Sequence, residues 1–291
     1  MEYNNLSISS GSIAGVDDQV IKYDLYAPIS GNTRGFPVIL FAHGFKGFKD
    51  WGAFPDACED LARYGFGVVG FNFSHNGIGN KRTEFDQLDV FAESTLTKDL
   101  QEIGLIIDAI QDGRISNPQA ELNTDDIGIV GHSRGGHTAI AAAAEYESIK
   151  CLVTWAAVAD YTERTTEAQR KDWEKNGFTE FKNSRTGQMM KLNKAFIDDL
   201  DANKDTLVAI TRVSDLVIPA LFIHGRDDES VPYTDSEKLY IECGSKDKEL
   251  RLIANAGHTF CVSHPFEEEH FPPQFEELVE FTGGWFRQFL R

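Results

Sequence analysis

The stretch Ile127-Gly128-Ile129-Val130-Gly131-His132-Ser133-Arg134-Gly135-Gly136 decides how this chain is read. Its first four residues are the continuously apolar run of a strand buried on both faces. The small residues from Gly136 through Ala144 continue as a helix. A strand-to-helix turn this tight strains its central residue and holds the side chain above the sheet, and flanking glycines leave room for the two elements to approach. Gly131 to Gly135 reads G-x-S-x-G, a pattern common enough alone to mark a Gly-Ser turn of no chemical meaning. Between a buried strand and a helix it predicts that Ser133 is a nucleophile.

Working outward, short β-rich runs alternate with helical patterns, the signature of a mostly parallel sheet. The strands are expected at Leu6 to Ile13, Val20 to Ala27, Pro37 to Ala42, Gly67 to Phe73, Ile127 to Val130, Cys151 to Trp155, Ala220 to His224 and Leu250 to Ile253. The first two alternate in polarity and predict an antiparallel edge. Helices are expected over Phe54 to Tyr64, Thr95 to Ile110, Gly136 to Ala144 and Phe275 to Leu290. In the second of these, Leu100, Ile103, Ile107 and Ile110 fall at helical spacing.

One connection breaks the rhythm. About sixty residues separate Trp155 from Ala220, where a crossover needs only a dozen or so. They read as a helix (Thr165 to Lys175, stopped by Gly177), a hairpin (Phe178 to Lys182 and Gln188 to Leu192) and a second helix (Lys194 to Leu200). A folded insertion at the carboxyl end of a strand lies where α/β enzymes bind ligands. Residues 161–215 are therefore expected to form a cap over a core made of residues 1–160 and 216–291.

A serine hydroxyl is a poor nucleophile until a base takes its proton. The strand after Ser133 ends in His224-Gly225-Arg226-Asp227-Asp228-Glu229-Ser230-Val231-Pro232. The spacing HG-x-x-D-x-x-V-P selects Asp228 as the acid, with Asp227 as its competitor. Beyond the last strand, His258 follows Gly257 in a loop and is the natural base, in the chain order nucleophile, acid, histidine. Backbone N–H donors for a developing oxyanion are expected from Phe45, in His43-Gly44-Phe45 after the third strand, and from Arg134.

The other histidines read more blandly. His43 braces the oxyanion loop, His132 points away from the serine, His224 packs at a strand end and His75 could line the site. His137, His264 and His270 carry no motif. A metal site from His224, Asp227 and the C-terminal histidines lacks ligand spacing, so no metal is expected.

Composition narrows the classes. A net charge of −18 argues against nucleic acid, whose phosphates need clustered Lys and Arg, and against an anionic membrane surface. No apolar run has the length of a membrane span. Cys58, Cys151, Cys243 and Cys261 are scattered and read as buried free thiols. The N-terminus shows no secretory pattern, which points to the cytoplasm.

Together these motifs resemble the α/β-hydrolase superfamily over nearly the whole chain. Within it, the sequence is similar to lidded bacterial acyl esterases of the cinnamoyl (feruloyl) esterase kind and to dienelactone-hydrolase-like relatives. His43 to Phe45, Phe71 to Gly77, Gly131 to Gly136, His224 to Pro232 and Gly257-His258 carry the likeness. Asn72 stands where those esterases usually have an acid, and His75 where a glycine is usual. The resemblance implies an eight-stranded, mostly parallel sheet flanked by helices, with a helix–hairpin–helix cap after the sixth strand. It also implies a cofactor-free serine esterase acting on small-molecule esters, aryl or cinnamoyl-type among them. The rival readings are a serine peptidase or amidase of the same fold, for which the chain is short of the large propeller of the oligopeptidases, and a silent binding protein on the same scaffold.

Overall fold

The computed structural model describes residues 3–29 and 34–290. Their strands are β1 (Leu6–Ala14), β2 (Val20–Pro28), β3 (Phe36–Ala42), β4 (Gly67–Phe71), β5 (Leu122–His132), β6 (Ile149–Trp155), β7 (Phe178–Lys182), β8 (Met189–Asn193), β9 (Ala220–Gly225) and β10 (Lys248–Ile253). The helices are α1 (Phe54–Arg63), α2 (Leu88–Ala92), α3 (Leu96–Gln111), α4 (Arg134–Glu145), α5 (Tyr161–Arg164), α6 (Glu167–Asn176), α7 (Ala195–Ala202), α8 (Lys204–Leu207), α9 (Ala209–Arg212), α10 (Thr234–Glu242) and α11 (Pro273–Phe289).

Eight strands form one sheet in the order β1-β2-β4-β3-β5-β6-β9-β10. The expected antiparallel edge is present, because β1 pairs with β2 and β2 with β4 in antiparallel register. From β4 to β10 every pairing is parallel. Strand β3 is buried at every residue, as its apolar run requires.

Helices cover both faces. On one, Ile103, Ile106 and Ile110 of α3 and Ala139 and Ile140 of α4 pack on Leu40, Ile129 and Leu152. On the other, α1 and α11 bury Leu61, Phe275 and Phe286 against Phe41, Val130 and Trp155. The Trp155 indole N–H donates to the Thr282 hydroxyl at 2.9 Å, fixing α11 on the sheet. Helix α3 starts where the Thr95 hydroxyl accepts the Lys98 N–H.

The long connection after β6 folds as α5 and α6, the β7–β8 hairpin, and then α7, α8 and α9 before β9. Thr166 and Gln169 form a capping box at the start of α6, and Gly177 ends that helix at φ +78°. The helix expected from Thr165 is α6, and a separate short turn, α5, precedes it, where the Asp160 carboxylate caps the Thr162 N–H. Trp173, Leu192, Phe196 and Leu200 of this segment join the α3–α4 side of the core.

Candidate active site

Strand β5 delivers Ser133 into a turn with φ +57° and ψ −117°, a conformation that costs an L-residue about 1–3 kcal/mol. The surroundings hold it there. The Ser133 N–H donates to the Trp155 carbonyl at 2.8 Å, and its own carbonyl accepts the His137 N–H at 3.1 Å. The two glycines of the motif are sterically required: a Cβ on Gly131 would overlap the Gly135 carbonyl, and one on Gly135 the Ala42 carbonyl.

The two adjacent aspartates separate cleanly. Asp228 is buried and its Oδ2 lies 2.7 Å from His258 Nδ1, whereas Asp227 is exposed. The Asp228 carboxylate also accepts the N–H groups of Ser230 and Val231 at 2.8 and 2.9 Å. Burial alone would raise its pKa. The hydrogen bonds from His224 and His258, with the nearby imidazole charge, outweigh that and hold it well below the usual carboxylate range.

His224 therefore does more than pack at a strand end, which corrects the bland reading. Its Nε2 sits 3.1 Å from Asp228 Oδ2 and 3.0 Å from the Val231 carbonyl, while Nδ1 pairs with the Ser236 hydroxyl at 2.7 Å. Both ring nitrogens are committed, so His224 holds the Asp228 carboxylate in place. His132 also has a partner that its sequence reading did not name. Its Nε2 meets the His258 carbonyl at 2.9 Å and its ring lies 4.8 Å from the His258 ring. Burial lowers its pKa to about 3, so the neutral ring donates to that carbonyl and braces the His258 loop.

Phe45 and Arg134 both line a cavity that holds Ser133. Among the described residues neither of their main-chain N–H groups has an acceptor within the protein. His43 braces this loop as expected. Its Nδ1 faces the Gly44 carbonyl at 2.9 Å and its Nε2 accepts the Phe73 N–H at 3.2 Å. Burial holds it neutral, with a pKa near 4. The Arg134 side chain has a separate role. It is buried, with Nε 2.8 Å from Asp99 Oδ2 and the guanidinium 5.3 Å from the Phe196 ring centroid. No local pattern announces this pair, because Asp99 lies on the polar turn of α3, 35 residues away.

Ser133 and His258 stand in the walls of two cavities. One, of about 380 Å³, is roofed by the segment after β6 through Trp173, Phe181, Leu192 and Phe196. The other, of about 470 Å³, opens between Trp51, the hairpin turn at Asn183 to Arg185 and the loop from His258 to His264. His75 faces neither. It lies behind the oxyanion loop in a smaller space shared with His43 and Arg134. Of the four thiols, Cys58, Cys151 and Cys243 are buried and Cys261 is exposed, all unpaired. No helix among the described residues is long and apolar enough to cross a membrane.

One cavity wall thus carries the Ser133 hydroxyl, the His258 imidazole fixed by Asp228, and Phe45 and Arg134 with their unspent N–H donors. Comparison with known proteins agrees with this frame. The model of the prolyl oligopeptidase family matches residues 115–281, a span that holds Ser133, Asp228 and His258. YitV of Bacillus subtilis strain 168, provisionally named an esterase, is 25% identical over 208 residues, covering 71% of this chain and 74% of its own. The ferulic acid complex of Est1E from Butyrivibrio proteoclasticus superposes with a TM-score of 0.70 at 21% identity, over 94% of this chain and 97% of that one. Dienelactone hydrolase from Anabaena variabilis gives 0.59 at 19% identity, over 98% and 99%. At these identities the structures establish a shared fold, the α/β-hydrolase fold.

Proposed function

The chain belongs to the prolyl oligopeptidase family, and on that premise we propose that it is a serine hydrolase that cleaves carboxylic esters through an acyl-enzyme. The observation that carries the reading is the 2.7 Å contact of Asp228 with His258, beside a strained Ser133 that opens on the same cavities. Ser133 Oγ attacks the ester carbonyl while His258 Nε2 takes its proton. Asp228 fixes the tautomer that leaves Nε2 free and steadies the imidazolium. The N–H groups of Phe45 and Arg134 receive the oxyanion, usually the largest electrostatic contribution in acyl transfer. His258 then returns the proton to the leaving alcohol, and water, activated by the same imidazole, releases the acid. The provisional naming of YitV and the ferulic acid bound by Est1E favour an ester over an amide.

Ser133→Ala is expected to abolish both ester turnover and labelling by a fluorophosphonate, with a loss on the order of 10⁴-fold or more. Turnover near wild type from a folded variant would overturn the assignment. The family match favours a second reading, a peptidase or amidase at the same residues. Comparing aryl esters with aminoacyl amides separates the two.

Residues 161–215 serve in this reading as a cap that selects substrates without doing chemistry. Ser133, Asp228, His258 and both N–H donors lie outside it, while its side chains line the 380 Å³ cavity. Replacing the segment by a short linker in a fold-verified protein should cost p-nitrophenyl acetate little. A bulky ester should lose on the order of 10²-fold in kcat/KM, because remote contacts orient it. Equal losses on both would mean that the segment supports the catalytic residues directly.

A further inference from the structure

The whole chain carries 46 acidic against 28 basic side chains, so a cavity drawn at random from it should show carboxylates. A surface cleft near α1 does: it is lined by Asp56, Glu59, Asp60, Glu268, Glu269 and Glu276. The two cavities at Ser133 do the opposite. Every formally charged wall residue is basic, with Lys46, Arg134 and Arg164 in the first and Lys46 and Arg185 in the second.

Arg134 is neutralised by Asp99, but the others have no carboxylate partner among the described residues. The Lys46 ammonium reaches only the Lys182 carbonyl at 3.2 Å and the Phe45 ring, 5.7 Å from its centroid. Arg164 gives one N–H to the Ser230 carbonyl at 2.6 Å. Arg185 lies against the rings of Phe48 and Phe85. An ammonium half-buried beside aromatic rings without an anion is unfavourable, and burial draws the Lys46 pKa below its ordinary value. An anionic ligand would supply the missing partner. The first cavity also has an apolar lining of Trp173, Phe181, Leu192 and Phe196.

We propose that the ester taken by this site carries a carboxylate remote from the scissile bond, across an apolar spacer, held by Arg164, with Lys46 adding positive charge to the same cavity. The proposal rests on the esterase reading and names its substrate class. Arg164 offers the planar fork that suits a carboxylate, and Lys46 a point charge next to the oxyanion loop.

The test compares esters that differ in charge and little in shape: monomethyl adipate against methyl 6-methylheptanoate, and monomethyl terephthalate against methyl 4-isopropylbenzoate. The anionic member of each pair should have the higher kcat/KM by on the order of 10-fold, against the repulsion of a net −18 chain. Added salt should narrow the gap. R164Q and K46M should each reduce the anionic preference severalfold, chiefly through KM. K171Q removes a charge from α6 at a side chain 76% exposed and outside the cavity, and should leave the ratio as it was. Equal or better turnover of the neutral esters, or ratios untouched by R164Q and K46M, would overturn the proposal while leaving the esterase intact. Failure of the wild type on all four esters, together with failure to label with a fluorophosphonate, would overturn the esterase reading and this proposal with it.

Discussion

Two buried carboxylates, Asp228 in the candidate site and Glu102 on α3, have opposite chemistry. Asp228, on the β9 side, accepts from two imidazoles and two backbone N–H groups. Glu102, on α3 behind the oxyanion loop, accepts the Ser74 hydroxyl, the Ser74 N–H at 2.8 Å and the Val16 N–H at 3.3 Å. Both are withdrawn from water. Burial lifts Glu102 to about 7, with Asp99 nearby adding to the rise, while Asp228 lies well below the ordinary range. Burial is common to both, so it does not decide protonation. The donors do: two imidazoles that gain from the negative charge, against one hydroxyl, two amides and a neighbouring anion.

The largest effect should come from breaking the Asp228 side. Asp228→Asn keeps the shape but replaces a carboxylate facing His258 Nδ1 with an amide that no longer enforces the productive tautomer. The expected loss in kcat is on the order of 10⁴-fold. Asp227→Asn, one residue away and exposed, should cost less than about 10-fold by the same logic. The reverse ranking would move the acid to Asp227 and remove the meaning of the 2.7 Å contact. The sign with pH follows from the direction of the shift. Folding gains stability from Asp228 above the ordinary aspartate range, and loses it only as pH falls through the depressed folded value. Activity near neutrality is therefore not limited by protonation of Asp228.

The same contrast marks what the sequence discloses. Ser133, Asp228 and His258 announce themselves because each sits in a local pattern imposed by backbone geometry: a glycine-flanked elbow, a strand end followed by Val-Pro, and a glycine-opened loop. The central strands β3, β4 and β9 were legible for a similar reason, since a strand buried on both faces has to be apolar along its length. The supporting polar groups were not. His224 reads as a strand-end residue until Ser236, Asp228 and Val231 are brought around it. The Arg134–Asp99 pair and the Glu102–Ser74 contact join positions 35 and 28 residues apart, and no periodicity links them. Within the insertion after β6, α6, the β7–β8 hairpin and α7 were legible, because Gly177 and the Asn183 to Gly187 turn punctuate them, whereas the short α5, α8 and α9 were not. Its basic wall residues, Lys46 from the core and Arg164 from α5, meet only in the folded cavity.

The smallest expected effect lies on the Glu102 side and is seen in stability. An unfolded glutamate titrates near 4.5, and folding raises Glu102 to about 7, so between those values the folded state binds the extra proton. Stability then falls as pH rises through that window and is flat above it, the opposite sign to Asp228. Glu102→Gln removes the titration while keeping an oxygen that can accept from Ser74. Near pH 5 the two proteins should melt close together. Near pH 8 the wild type carries an uncompensated buried charge that the variant lacks, and the variant should be the more stable by about 1–3 kcal/mol. For a chain of this size that is a Tm gap of roughly 2–10 °C. Melting both proteins from pH 5 to pH 8 reads the slope directly. A gap that stays constant across the range would place Glu102 among ordinary carboxylates, and the asymmetry around Ser133 would then rest on Asp228 alone.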